Sequence, residues 1–287
     1  MNYTIVGVSR GSEYSPNHVG NDAAIFNEVA ETLKSLGFEV HSFNEREFVS
    51  KSIHADVIFN MARDTKTISY LKELEQQGSL IINSAYGIEN CVRKPMTEIL
   101  ISNNIPHPHS QIISVNNVSP DDIAIYPAWI KRGDSHAIVK EDVCYVTCWE
   151  EVIGVINDFQ RRNIPIAVVN EHLYGDLIKF YGIRELSYFF WFYPSPCSHS
   201  KFGLEKINGE AKGIAFEEET LKKYCEQASI ALDVPVYGGD CVISSDGSIT
   251  IIDFNDWPSF ARCREEAARN IADYISKQAK VKFQEVK

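Results

Sequence analysis

No apolar stretch in the 287 residues reaches the length of about 20 that a membrane-spanning helix needs, and the longest aromatic run is only Tyr188-Phe189-Phe190-Trp191-Phe192-Tyr193. A secretory leader is not expected, because Met1-Asn2-Tyr3-Thr4 leads straight into the strand-like Ile5-Val6-Gly7-Val8. Positive charge is scarce. With 28 Lys and Arg against 39 Asp and Glu, the net charge of -11 speaks against a general nucleic-acid surface. The seven cysteines are odd in number and widely scattered, which fits a reducing cytoplasm better than a disulfide scaffold. Internal repeats, low-complexity tracts and coiled-coil heptads are missing, as is any Ser-His-Asp or Cys-His pattern for a dedicated nucleophile. What is left is an ordinary globular composition, 44% hydrophobic and 23% charged, with no membrane or nucleic-acid partner expected.

The first part of the chain alternates strand and helix. Strands are expected at 4–8, 38–43, 57–60 and 80–83, with helices at 22–36 and 67–77, each stopped by a glycine, Gly37 or Gly78. That alternation predicts a mostly parallel sheet covered on both faces, ending near residue 85. A helix over 88–103 comes next. From Ala128 the pattern changes to short strands and hairpins, with helices at 149–161, 217–232 and 265–277. The expected division is 1–85, 86–165 and 166–287.

The clearest short-range signal is Asp246-Gly247, a hairpin turn between the apolar runs Cys241-Val242-Ile243 and Ile249-Thr250-Ile251-Ile252. Pairing outward from a two-residue turn sets Asp240 opposite Asp253, with Asn255 two residues on and on the same face. Facing carboxylates repel. A divalent cation would remove the conflict, and oxygen ligands from Asp and Asn suit Mg or Mn better than zinc. Solvated strand ends are the other local reading.

Lysines stand at two element boundaries: Lys94 before the 88–103 helix pattern is complete, and Lys131 at the end of a strand that continues into Arg132-Gly133-Asp134-Ser135-His136. A strand-end lysine before a glycine turn is placed to meet phosphate. Further on, a strand delivers Glu171, His172 and Leu173 into a bend near Gly175, and the next strand sets Leu177, Lys179 and Tyr181 on one face. Backbone groups in such a bend can read an adenine edge, Asp176 can accept from ribose hydroxyls, and Lys179 points to phosphate.

In this order the elements resemble the ATP-grasp superfamily, of the glutathione synthetase and D-alanine–D-alanine ligase class, with ribosomal-protein-modifying glutamate ligases among its relatives. The resemblance spans the chain. It rests on Arg93-Lys94 followed by Asn104-Ile105-Pro106-His107-Pro108, on Lys131, on Glu171-His172-Leu173, and on Asp240 with Asp253-Phe254-Asn255. It implies an α/β and α+β architecture, a doubly wound N-terminal parallel-sheet domain behind two α+β subdomains that enclose ATP. It also implies Lys94 and Lys131 on the α and β phosphates, Lys179 on the phosphates from the sheet, Glu171, His172 and Leu173 at adenine, and Asp240, Asp253 and Asn255 on one or two Mg (or Mn) ions. The implied reaction joins a small-molecule or peptide carboxylate to an amine or thiol through an acyl phosphate, and a homodimer is allowed for.

The sequence departs from the family pattern in places. The phosphate-covering loop has just one glycine, so His136 would supply a donor or shape the loop. Asp253 stands where Glu is usual. The arginine that would stabilise the acyl phosphate is represented between Glu171 and Asp240 only by Arg184, with Lys201, Lys206 and Lys212 as other cations. Arg10 and Arg63, in loops 9–21 and 60–66, are candidate substrate-carboxylate clamps. Two other readings stay open: a kinase acting on a hydroxylated metabolite, suggested by Lys179-Phe180-Tyr181-Gly182-Ile183, and a non-catalytic nucleotide-binding protein.

Overall fold

The computed structural model describes residues 3–15, 18–185, 188–194 and 203–284. β1 (Ile5–Ser9) is apolar up to its last residue and runs through the middle of a parallel sheet, as a strand buried on two sides must. β2 (Val40–Asn44), β3 (Val57–Asn60) and β4 (Leu80–Ile82) complete the order β2-β1-β3-β4. α1 (Val19–Ser35) covers one face, while α2 (Glu45–Ser50) and α3 (Thr65–Gln76) cover the other. The short α2 was not expected. Its start is nonetheless written in Asn44-Glu45-Arg46-Glu47, which forms a capping box.

The helix expected over 88–103 is two helices, α4 (Ala85–Asn90) and α5 (Arg93–Ser102), separated by Cys91 and the extended Val92. Pro95 explains the break. In one continuous helix its ring would meet the carbonyl of Cys91, whereas in the first turn of a new helix its missing N–H costs nothing. The break makes Arg93 the first residue of α5.

A second, antiparallel sheet has the order β5-β8-β6-β7, from β5 (Ser110–Ser114), β6 (Ala128–Arg132), β7 (Val143–Val146) and β8 (Ile166–Glu171). α6 (Trp149–Arg161) packs Val152, Ile156 and Phe159 onto it. The strand at 166–171 was expected to open the C-terminal unit. It lies instead inside this sheet between β5 and β6, because residues 167–170 are buried and need neighbours on both edges.

The third sheet, β10-β9-β11-β12, is also antiparallel and holds β9 (Asp176–Ile183), β10 (Tyr188–Phe192), β11 (Val236–Ile243) and β12 (Ile249–Asp256). Residues 186 and 187, which precede β10, lie outside the described residues. α5 and α7 (Glu218–Leu232) pack Met96, Leu100, Leu221, Cys225 and Leu232 against Ile178, Phe180, Cys241 and Phe254 on one face of this sheet. α8 (Arg264–Gln284) then returns to the first sheet and packs on α1, so the stretch 166–287 is not self-contained. Among the described residues no helix is long and apolar enough to cross a membrane.

The β11–β12 hairpin reaches the expected pairing of Asp240 with Asp253 by an unexpected route. Ser244 N–H donates to Ser248 O and Gly247 has φ +83°, so the turn holds one residue more than a two-residue loop. A bulge at Ile252 then restores the register between Cys241 and Asp240. It also changes the phase of β12. Ile251 and Phe254 face the helices, whereas Ile252, Asp253 and Asn255 face the opposite side. Strict alternation from Ile251 would have turned Asp253 into the core.

Candidate functional site

The face of the third sheet away from the helices forms one wall of a cavity of about 570 Å³. Leu177, Lys179 and Tyr181 from β9 and Gly238, Asp240 and Val242 from β11 line it at alternate positions, as the period of a strand dictates. From the second sheet come Lys131, Ser135, His136 and the segment Asn170-Glu171-His172-Leu173. Loops of the first sheet close the far end with Arg10, Tyr14, Ser15, His18 and Arg63.

Asp240 and Asp253 face each other across the ladder, and each is paired with a cation of the protein. Lys179 Nζ lies 3.0 Å from Asp240 Oδ1 and 3.3 Å from Glu205 Oε1. Arg93 Nη1 donates to Asp253 Oδ1 at 2.8 Å, and the Asn255 side chain also bonds Asp253. Arg93, Lys131 and these bonds hold Asp253 well below the usual carboxylate range against its own burial, whereas burial raises Asp240 despite Lys179. For Lys179 the paired carboxylates outweigh burial and push its pKa up. Lys131 is buried, and its Nζ donates to Ile252 O, the carbonyl of the bulged residue, at 3.3 Å. Burial first, and Arg93 second, pull its pKa down to about 7.

At the other end, Glu171 N–H and His172 N–H are bound to the carbonyls of His109 and Pro127, which fixes the bend after β8. Trp129 Nε1 donates to His172 Nδ1 at 3.1 Å, so the neutral ring carries its proton on Nε2, and burial lowers its pKa. Tyr145 and Tyr174 approach the same ring edge-on, at 5.2 and 4.7 Å between centroids. This gives an aromatic platform beside Glu171 and Leu173.

Lys131, His136, Glu171, His172, Leu173, Lys179, Asp240, Asp253 and Asn255 thus share one cavity. Three other expected residues do not join them. Lys94 points along α5 toward Glu98, 3.9 Å away, while its backbone N–H donates to Gly133 O; its neighbour Arg93 takes the cavity side. Asp176 is buried and spends both carboxylate oxygens on the N–H groups of Lys212 and Ile214, so it shapes the chain and does not line the cavity. Arg184 lies at the end of β9, against Ser229 O and Asp233 at the C-terminus of α7, a cation's usual partner there. It is outside the cavity lining, as are the exposed Lys206 and Lys212, and Lys201 lies outside the described residues.

Arg10 and Arg63 do reach the cavity but are committed elsewhere. Arg10 donates to Asp22 Oδ2, Met61 O and Trp257 O. Arg63 pairs with Asp256 Oδ2 at 2.5 Å and also donates to Ala62 O. They act as struts between the N-terminal loops and the end of β12, not as open carboxylate clamps. Sequence reasoning missed Arg93, Glu205 and Arg262, all of which line the cavity. Pro95 was the one available signal, because it sets the start of α5 and hence the side on which Arg93 emerges.

The donor set fits a hard divalent cation: two facing carboxylates and an amide. Among the described residues no third Asp, Glu, His or Cys joins them as a metal group. Mg held by one or two carboxylates takes its remaining oxygens from phosphates and water.

The sequence matches no protein-family model and no curated protein. Solved structures do match it in fold. The D-alanine–D-alanine ligase of Bacillus anthracis complexed with ATP gives a TM-score of 0.69 at 14% identity, over 99% of this chain and 100% of that one. The ATP-grasp ligase PsnB, complexed with precursor peptide PsnA2 and AMPPNP, gives 0.61 at 16% identity, over 96% and 98%. A RimK-domain ATP-grasp protein from Sphaerobacter thermophilus gives 0.66 at 13% identity, over 95% and 100%.

Proposed function

Because the chain has the ATP-grasp fold, we propose that it is an ATP- and Mg-dependent ligase that activates a carboxylate as an acyl phosphate and passes it to an amine or thiol. The observation that carries this reading is the meeting of Asp240, Asp253 and Asn255 with Lys131, Lys179 and Arg93 in one cavity. The aromatic platform and the backbone at Glu171-His172-Leu173 would take adenine. Asp240, Asp253 and Asn255 would hold Mg, which supplies charge neutralisation for the transferring phosphoryl group. The cavity cations stabilise the same charge. A carboxylate oxygen of the acceptor attacks the γ phosphorus and ADP leaves. The amine or thiol then attacks the acyl carbon, phosphate leaves, and the nucleophile gives up its proton.

A peptide as one substrate is supported by PsnB, whose structure contains a precursor peptide. A kinase handling a polyphosphorylated metabolite would need open cations at the N-terminal end, and Arg10 and Arg63 are occupied there. The test is a screen of carboxylates against amines, following ADP, free phosphate and product mass. ADP and phosphate are expected in equal amounts, with hydroxylamine trapping the activated acid. A phosphorylated hydroxyl product without free phosphate would replace the ligase reading with the kinase one. Absence of nucleotide binding in calorimetry would remove both.

A further inference from the structure

We propose that Arg93, together with Lys179, is an exchangeable counter-ion. Each holds a metal-ligand carboxylate and passes to nucleotide phosphate when the metal binds, so that metal and nucleotide bind as one unit. This rests on the nucleotide and Mg reading above.

Both ligand carboxylates are already satisfied by the chain. Asp253 carries Arg93 at 2.8 Å and Asp240 carries Lys179 at 3.0 Å. Lys179 also meets Glu205, and Lys131 Nζ donates to Ile252 O beside Asp253. A divalent cation arriving alone must displace two ion pairs and leave both displaced cations beside it. Each of these side chains is no more than a quarter exposed, so that repulsion is only partly screened.

Nucleotide changes the balance. Its phosphates accept the guanidinium and the ammonium that the metal displaces, and they complete the metal's oxygen shell. Arg93 is built for such an exchange. It is the first residue of α5, where the helix dipole disfavours a cation, so it is held by its anionic partner and not by its own helix. The adjacent Lys94 N–H fastens the start of α5 to Gly133 O, in the turn that follows Lys131. The exchange can therefore occur by side-chain rotation on a fixed backbone. By linkage, each ligand must tighten the other by the same factor.

The test uses Mn as metal and ADP as nucleotide on the full chain. Mn binding is followed by electron paramagnetic resonance and ADP binding by calorimetry. Arg93→Met is expected to bind Mn alone about tenfold more tightly than the unaltered protein, because Asp253 is released, and to bind metal-free ADP about tenfold more weakly. A residue that served phosphate alone would lower ADP affinity and leave Mn binding unmoved. Lys179→Met, acting through Asp240, is expected to repeat the pattern and stands in if Arg93→Met does not fold by circular dichroism. Unchanged or weaker Mn binding in the folded variants overturns the counter-ion role while leaving the ligase reading intact. If the unaltered protein takes up no ADP, the ligase reading falls and this proposal falls with it.

Discussion

His107 shows how one side chain can carry a pH dependence for the whole domain. Its Nδ1 donates to Ile251 O at 2.8 Å, directly behind the bulge of β12, and its Nε2 is buried with no partner among the described residues. Burial, helped by Lys131, lowers its pKa to about 4. The unfolded imidazole, near 6.5, therefore takes up its proton before the folded one does. Between about pH 6.5 and 4 the unfolded state binds more protons, so stability falls on acidification through that window. At about 1.4 kcal/mol per unit the loss is roughly 3 kcal/mol. Urea denaturation at pH 7 and pH 4.5 measures it. His107→Asn keeps a donor for Ile251 O and is expected to flatten the dependence. The sequence placed His107 in a helix exit but said nothing of its proton, because the lowering comes from neighbours far along the chain.

At the scale of elements, the hairpin β11–β12 decides the site. Gly239 sits against Asp253 O and Phe180, and a Cβ there would lie 2.2 Å from that carbonyl oxygen. Backbone cannot give way as a flexible side chain can, so Gly239→Ala must push β12 from β11 at the carboxylate pair. A loss of about 3 kcal/mol or more is expected, at the upper end of overpacking, together with loss of metal-dependent nucleotide binding. Denaturant midpoints and calorimetry check both. Gly154→Ala in α6, where nothing among the described residues lies within 4 Å of the added Cβ, is the contrast, expected to stabilise by up to about 1 kcal/mol. The hairpin was legible from Asp246-Gly247 and its apolar flanks. Its three-residue loop and compensating bulge were not, since both preserve the pairing of Asp240 with Asp253.

The whole molecule is held together across the cavity floor. Arg63 bonds Asp256, Arg10 bonds Trp257 O, Asn83 exchanges two hydrogen bonds with the backbone of Val236, and α8 lies on α1. The Arg63–Asp256 pair is buried, with Asp256 Oδ1 left unpartnered among the described residues. Removing one member strands the other charge, and Arg63→Met is expected to cost about 3–5 kcal/mol. The double variant Arg63→Met/Asp256→Leu is expected to recover much of that loss, because no buried charge is left without a partner. Urea midpoints of the two variants decide between a strut and a substrate clamp. A clamp would lose little stability in either.

By itself the sequence determined the alternation of strand and helix in the first part of the chain, the β11–β12 hairpin, and the facing of Asp240 with Asp253. These depend on period and turn chemistry, which act over a few residues. Which cation meets those carboxylates was decided only by the tertiary structure. Arg93 and Asp253 are 160 positions apart, and whether Arg93 or Lys94 faces inward depends on where Pro95 lets α5 begin. Arg184 and Asp176 were misplaced for the same reason: a charged side chain goes to the partner that folding brings near, Asp233 for one and the backbone of Lys212 and Ile214 for the other. Local pattern fixes direction along a strand or helix, whereas the energy of a buried charge is set by its neighbours in space.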